Sequence, residues 1–332
     1  MIKRVAIAAL TLWLAATLIF FLFVVHPGDP TKYLLDPTMT PEMEAEIRRA
    51  LGVDDPLPVQ YVRNLRNLFS FGLIHPYFGY SFQTRRYVAS ELSWRLPLTV
   101  SLLSLSLIGN IIVGIPVGIL AASKRGTKLD VGIMGVGLFT HGVPTFFVQL
   151  LAILLFISYL EAQHGIEIFP AGGWVSYPIP QDRLLLIVDI AWHLALPVLT
   201  LVVANFAGWS LYARNLLLDS LTQDYVLTAR AKGLSERTVL FKHALKSIYP
   251  PIVTLITLSI PGVVTGAIIT EQLFGLQGIG QWYIRSISIQ NPDYPVVQAI
   301  LFIFSVLTVS CNLIADLMYG VLDPRIRVGM RR

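Results

Sequence analysis

Long apolar blocks alternate with polar stretches along this chain of 332 residues, and the block lengths decide what it forms. A helix needs about 20 consecutive apolar residues to cross a bilayer, and the pattern predicts crossings near residues 5 to 25, 98 to 121, 131 to 159, 193 to 213, 248 to 270 and 297 to 320. Closed barrels need alternating segments of about ten residues, which the chain lacks. The predicted fold is an all-α polytopic membrane protein with six transmembrane helices. Residues 1–25 form the first, 26–95 an extracytoplasmic insertion, 96–321 the core domain and 322–332 a tail.

The insertion is too long for a turn and too polar for the bilayer, so it is a subdomain with structure of its own or a disordered loop. Thr40-Pro41 starts a helix by the usual signals: a capping hydroxyl, proline at the first position, acids in the first turn, and Gly52 as the stop. A second short helix is predicted from about Pro58, with Tyr61, Leu65 and Leu68 as its apolar stripe, ending before Gly72. The segment 222–247, lying between two spans, must face water at the membrane surface. Its small residues Ala229, Ala231 and Gly233 suit a short helix gripped by another protein, with Gly233 permitting a turn that a side chain would resist.

Composition agrees with lipid as the solvent: 55% of residues are hydrophobic and 14% charged, against about a quarter charged in soluble domains. The first run follows Lys3 and Arg4 but is too long for a signal-peptide core and lacks a small-residue cleavage site, so it is predicted to be retained. Fifteen of the 25 Lys and Arg residues fall on the side of the amino terminus, and eight of the rest sit in the long insertion, which counts little in the positive-inside rule. Both termini are therefore predicted in the cytoplasm of an inner-membrane, multi-pass protein. Anionic lipid explains the +5 charge without nucleic acid. Cys311, the single cysteine, can form no intrachain disulfide or metal cluster.

Several motifs, in order, resemble the permease subunits of ABC importers of the dipeptide, oligopeptide and nickel class. They run from His26-Pro27-Gly28-Asp29-Pro30, through Gly79-Tyr80-Ser81, Arg95-Leu96-Pro97-Leu98-Thr99, His193 to Pro197 and Thr228-Ala229-Arg230-Ala231-Lys232-Gly233-Leu234-Ser235. They end with Thr265 to Glu271, Gly278 to Gly280, Pro292-Asp293-Tyr294-Pro295, Asn312, Asp316 and Asp323-Pro324-Arg325-Ile326-Arg327. The resemblance covers nearly the whole chain and implies a type I ABC importer permease architecture. It implies that Thr228, Ala229, Arg230, Ala231, Lys232, Gly233 and Leu234 form the coupling helix on which an ATPase docks. Leu227 departs from the general importer pattern, which has an acidic residue there. Implied partners are a second homologous permease, two cytosolic ABC ATPase subunits and an extracytoplasmic binding protein. The implied cargo is short peptides, with oligosaccharides or nickel chelates as alternatives.

No Gly-x-x-x-x-Gly-Lys-Ser/Thr loop is present, so ATP and Mg are expected on the partner ATPases and no cofactor on this chain. Neither His-Glu-x-x-His nor Gly-x-Ser-x-Gly appears, which argues against an enzyme. A secondary transporter driven by an ion gradient is the rival by composition, but it needs charged sites near the midplane and no docking helix. Candidate pathway or gating residues are Pro144 and Phe146 at the Gly142-Val143-Pro144 break, Pro261, Thr265 and Gly266 in the fifth span, Glu271, Asn312 and Asp316. A second break is predicted at His193 to Pro197. His141 is expected to form a hydrogen bond in helix packing. Asn312 and Asp316 share a helix face, and Arg214 is a candidate partner for Asp316. Glu271 either meets substrate or is solvated.

Overall fold

Helices make up the regular structure of the computed structural model, which describes residues 2–25, 40–69, 78–259, 268–288 and 290–322, with backbone alone at 2, 47, 50, 51 and 315–322. In chain order they are α1 (Ile2–Phe20, widening into a π-helical turn over Phe21–Val25), α2 (Pro41–Leu51), α3 (Leu57–Phe69), α4 (Val88–Ser123) and α5 (Lys128–Gly142). Then come α6 (Thr145–Ala152, carried on as far as His164), α7 (Arg183–Leu221), α8 (Asp224–Ala231), α9 (Leu245–Ser259), α10 (Ile268–Leu273), α11 (Ile279–Ser286) and α12 (Tyr294–Leu322).

Five helices among the described residues are long and apolar enough to cross a membrane: Lys3–Val25, Val88–Ser123, Thr145–His164, Arg183–Leu221 and Tyr294–Ile314. The predicted span 131 to 159 is two helices. Gly142 ends α5, Val143 is extended, and Pro144 starts α6. With 15 residues, α5 reaches only about 22 Å. The predicted span 248 to 270 is described as α9 and α10, and residues 260–267 between them lie outside the described residues. The predicted break at His193 to Pro197 is absent, because α7 runs through Pro197 without interruption. It also starts ten residues before the predicted boundary, where the Asp182 carboxylate accepts from Leu184 and Leu185 N–H at 2.8 and 3.0 Å.

Contacts divide the chain into two units, Met1–Thr99 with Gln277–Ile314, and Val100–Leu276 with Ala315–Arg332. In the first, α1 buries Ala16, Ile19 and Phe20 beside Leu68 of α3 and Phe302 of α12. The Thr17 and Tyr61 hydroxyls lie 2.8 Å apart, and the Tyr61 ring meets Phe20 edge-on at 5.2 Å. Val5, Leu10, Leu14 and Leu18 are left exposed, a surface suited to lipid. Helix α2 has the predicted ends: Thr40 accepts from Met43 N–H, and Gly52 turns left-handed at φ 65°.

Two pairs of distant motifs meet in this unit. The buried Asp293 carboxylate accepts from the Ser81 hydroxyl and from Phe82 and Gln83 N–H, both at 3.1 Å. Burial pushes its carboxyl above the usual range against the pull of these donors. Arg95 is held by the buried Glu91 at 3.0 Å, lies over Trp94 and Trp282, and donates to Gln277 O at 3.1 Å. Thr99 Oγ1 accepts from Ile279 N–H at 2.9 Å, which serves the start of α11.

In the second unit α4 and α7 cross at backbone contact. A Cβ on Gly118 would stand 2.2 Å from Ser210 O, so only glycine permits this approach. Near the ends of these helices, Ala122, Leu217, Val226, Ala229, Val239, Ala244, Leu245, Ile248 and Ile252 form one buried cluster.

Candidate functional site

The polar segment 222–247 is held from below and open above. Val226 and Ala229 of α8 are buried in the cluster just described, whereas Leu227, Thr228, Arg230, Ala231, Lys232, Gly233 and Leu234 are exposed. Ala229 therefore owes its small size to close packing inside its own chain, a correction to the expectation that it faces a partner. Leu227 and Ala231, four apart, share the outward face. The residue that departs from the general importer pattern is thus an exposed apolar side chain.

Lys232 ends α8, and Gly233 adopts φ +77°. Its N–H donates to Arg230 O at 2.9 Å and that of Leu234 to Ala229 O at 3.4 Å, the pairing of a Schellman turn. Nothing lies within 4 Å of where a Gly233 Cβ would stand, so the requirement for glycine is conformational and the space outside is open. Arg230 pairs with Glu236 at 2.9 Å across the turn. At exposed positions such a pair contributes about 0 to 1 kcal/mol, enough to bias the turn but not to hold it.

Three hydroxyls fasten the segment to its neighbours. Ser220 at the end of α7, Tyr225 in α8 and Ser247 in α9 lie 2.7 to 2.8 Å from one another, and Ser220 also donates to Ala244 O at 3.0 Å. Two turns back along α7, Arg214 donates to both carboxylate oxygens of Asp130 at 2.8 and 2.9 Å. Asp130 further accepts from Gly126 N–H at 3.0 Å. The Arg214 hydrogen bonds and the Gly126 N–H lower its pKa to about 2. Arg214, expected as a partner for Asp316, is thus engaged by Asp130, and the Asp316 side chain lies outside what is described. The bidentate pair joins the start of α5 to the helix that leads into the segment.

The pathway candidates separate. Pro144 starts α6 and Phe146 follows it, exposed. Phe146 lines a cleft of about 500 Å³ with Ser106 and Asn110 of α4, Thr145 and Gln149 of α6, Asn205 and Trp209 of α7, Ser259 of α9 and Thr270 of α10. Glu271 is fully buried, which removes the solvated alternative for it in this chain. Asn312 is exposed on α12. Pro261, Thr265 and Gly266 lie outside the described residues. His141 is exposed near Gly208 and makes no hydrogen bond among the described residues, contrary to expectation. Asp130, Asn110, Gln149 and the Ser220-Tyr225-Ser247 group are not among the residues predicted from sequence, although a carboxamide within an apolar run is as direct a signal as an ionisable residue inside a span.

Comparison with known proteins adds to this geometry. Residues 114–328 match the family model described as binding-protein-dependent transport system inner membrane component, and residues 1–103 match its N-terminal companion. The chain is 35% identical over 327 residues to the oligopeptide transport system permease protein AppB of Bacillus subtilis (strain 168), covering 98% of each. It is 33% identical over 334 residues to the dipeptide transport system permease protein DppB of Escherichia coli (strain K12), covering 95% of each. Among solved structures, an inward-facing form of the MetNI methionine ABC transporter has a chain similar at TM-score 0.54 and 16% identity, covering 70% of this chain and 96% of that one. That likeness concerns the fold alone.

Proposed function

Because the chain belongs to the family of binding-protein-dependent transport system inner membrane components, we propose that it is the permease subunit of an ATP-driven importer of short peptides. An extracytoplasmic binding protein delivers the peptide, a second homologous permease completes the pathway, and two cytosolic ATPase subunits supply the energy. This subunit performs no chemistry of its own and holds neither ATP nor Mg. Both termini face the cytoplasm, which the distribution of Lys and Arg supports.

The observation that carries the reading is the construction of segment 222–247. Its inner face is buried in the cluster around Leu217 and Leu245, its turn is set by Gly233, and its outer face presents Leu227 and Ala231. A lone solvated loop has no need of such an anchored yet outward-facing apolar helix. When the ATPases close on ATP, they move this face, and the Ser220-Tyr225-Ser247 contacts pass the displacement to α7 and α9. Each state of the pathway then requires a different position of the segment, which couples the two events. Peptide as cargo is supported by the names of the two permease relatives given above.

The test is ATP hydrolysis by the complex in lipid vesicles with its binding protein loaded with short peptides or with oligosaccharides. Stimulation by peptides is the expected result. Stimulation by oligosaccharides alone would change the cargo, and failure to assemble with any ATPase would remove the importer reading.

A further inference from the structure

We propose, resting on the peptide-importer reading, that the cleft walled by α4, α6, α7, α9 and α10 is a solute subsite. There the carboxamides of Asn110 and Gln149 recognise the backbone amides of a peptide without regard to the charge of its side chains. None of the described residues lining the cleft is ionisable. Asn110 is 5% and Gln149 1% exposed, and both line it.

Each carboxamide spends its NH2 group within the protein. Asn110 Nδ2 donates to Ser106 O at 2.9 Å, and Gln149 Nε2 donates to Thr270 Oγ1 at 2.8 Å. Their carbonyl oxygens, Asn110 Oδ1 and Gln149 Oε1, find no hydrogen-bond partner among the described residues. Buried acceptors without a donor are costly, and a lipid chain has no donor to offer. A peptide has an N–H and a C=O at nearly every residue, and the terminal amide torsions of Asn and Gln are soft, so the buried oxygens turn toward its N–H groups while each NH2 exchanges its protein acceptor for a peptide carbonyl. Phe146 and Trp209 provide apolar wall for side chains of varied kind. A cleft of about 500 Å³ falls in the range of small-molecule sites, roughly 300 to 1,000 Å³.

The experiment uses the full complex with its ATPases and binding protein in vesicles at pH 8, and measures uptake of an acidic and a basic tripeptide. The acidic-to-basic uptake ratio is compared between wild type, Asn110→Asp and Gln149→Glu, since the binding protein contributes equally to each. A carboxylate placed in a neutral cleft is expected to lower the ratio about tenfold. An unchanged ratio in both variants overturns the subsite. Should the variants fail to assemble, wild type decides alone: a backbone N-methylated tripeptide that the binding protein accepts is expected to enter about tenfold more slowly than its parent, and equal entry overturns the proposal. Import of oligosaccharides but no peptide by wild type overturns the peptide reading, and this subsite with it.

Discussion

At the residue scale, two buried acids define how separate parts of the sequence are fastened. Asp130 faces Arg214 in bidentate geometry at the foot of α5. Asp130→Asn leaves the guanidinium largely buried without its counter-charge, at a cost of about 3 kcal/mol, which a thermal melt of the detergent-solubilised complex detects. The folded pKa of about 2 lies below the ordinary 3.8, so the pair contributes fully above about pH 4 and its contribution is lost as pH falls toward 2. The gap between wild type and Asp130→Asn is therefore expected to narrow across that window, and a constant gap contradicts the ion pair. Asp293 has a different task, accepting from Ser81, Phe82 and Gln83. Asp293→Ala leaves these donors unpaired and is expected to lower stability by about 3 kcal/mol in the same melt. Neither partnership was legible in the sequence. Asp293 stood inside a quoted motif, but its partner Ser81 stands 212 positions away, and periodicity carries no information about which remote side chains meet.

At the scale of elements, legibility follows how local the cause is. Both ends of α2 were readable because Thr40, Pro41 and Gly52 act on their immediate neighbours, and the stripe of α3 because Tyr61, Leu65 and Leu68 recur at helical spacing. Proline proved ambiguous: Pro144 begins a new helix, while Pro197 sits within an unbroken one. The same residue type removes one N–H in both places, and tertiary packing decides whether the helix tolerates the loss. The crossing of α4 and α7 belongs to this scale as well. Gly118→Ala sets a methyl group 2.2 Å from Ser210 O, so the helices must separate. We expect a loss of about 2 kcal/mol or more, seen as a lower melting temperature, and an unaltered melt would mean the crossing is looser than described.

For the molecule as a whole, segment 222–247 is the proposed link between an ATPase and the pathway. Its short helix and the Gly233 turn were readable from a polar run of small residues between two spans, but its orientation was not. That Ala229 faces inward and Leu227 outward depends on the cluster formed with Leu217 and Leu245, which brings together residues from α4, α7, α8 and α9. The candidate cleft was legible only at Phe146, because Asn110, Gln149 and Thr270 are brought together by packing alone. The most direct measurement is peptide uptake by complexes carrying Gly233→Arg, with Gly233→Asn as control. Asparagine tolerates the left-handed backbone at this position, whereas arginine puts a long cation into the open space before the outward face. Coupling through this segment predicts that both variants insert and assemble to wild-type levels, that Gly233→Asn transports, and that Gly233→Arg does not. Normal uptake by Gly233→Arg would contradict it.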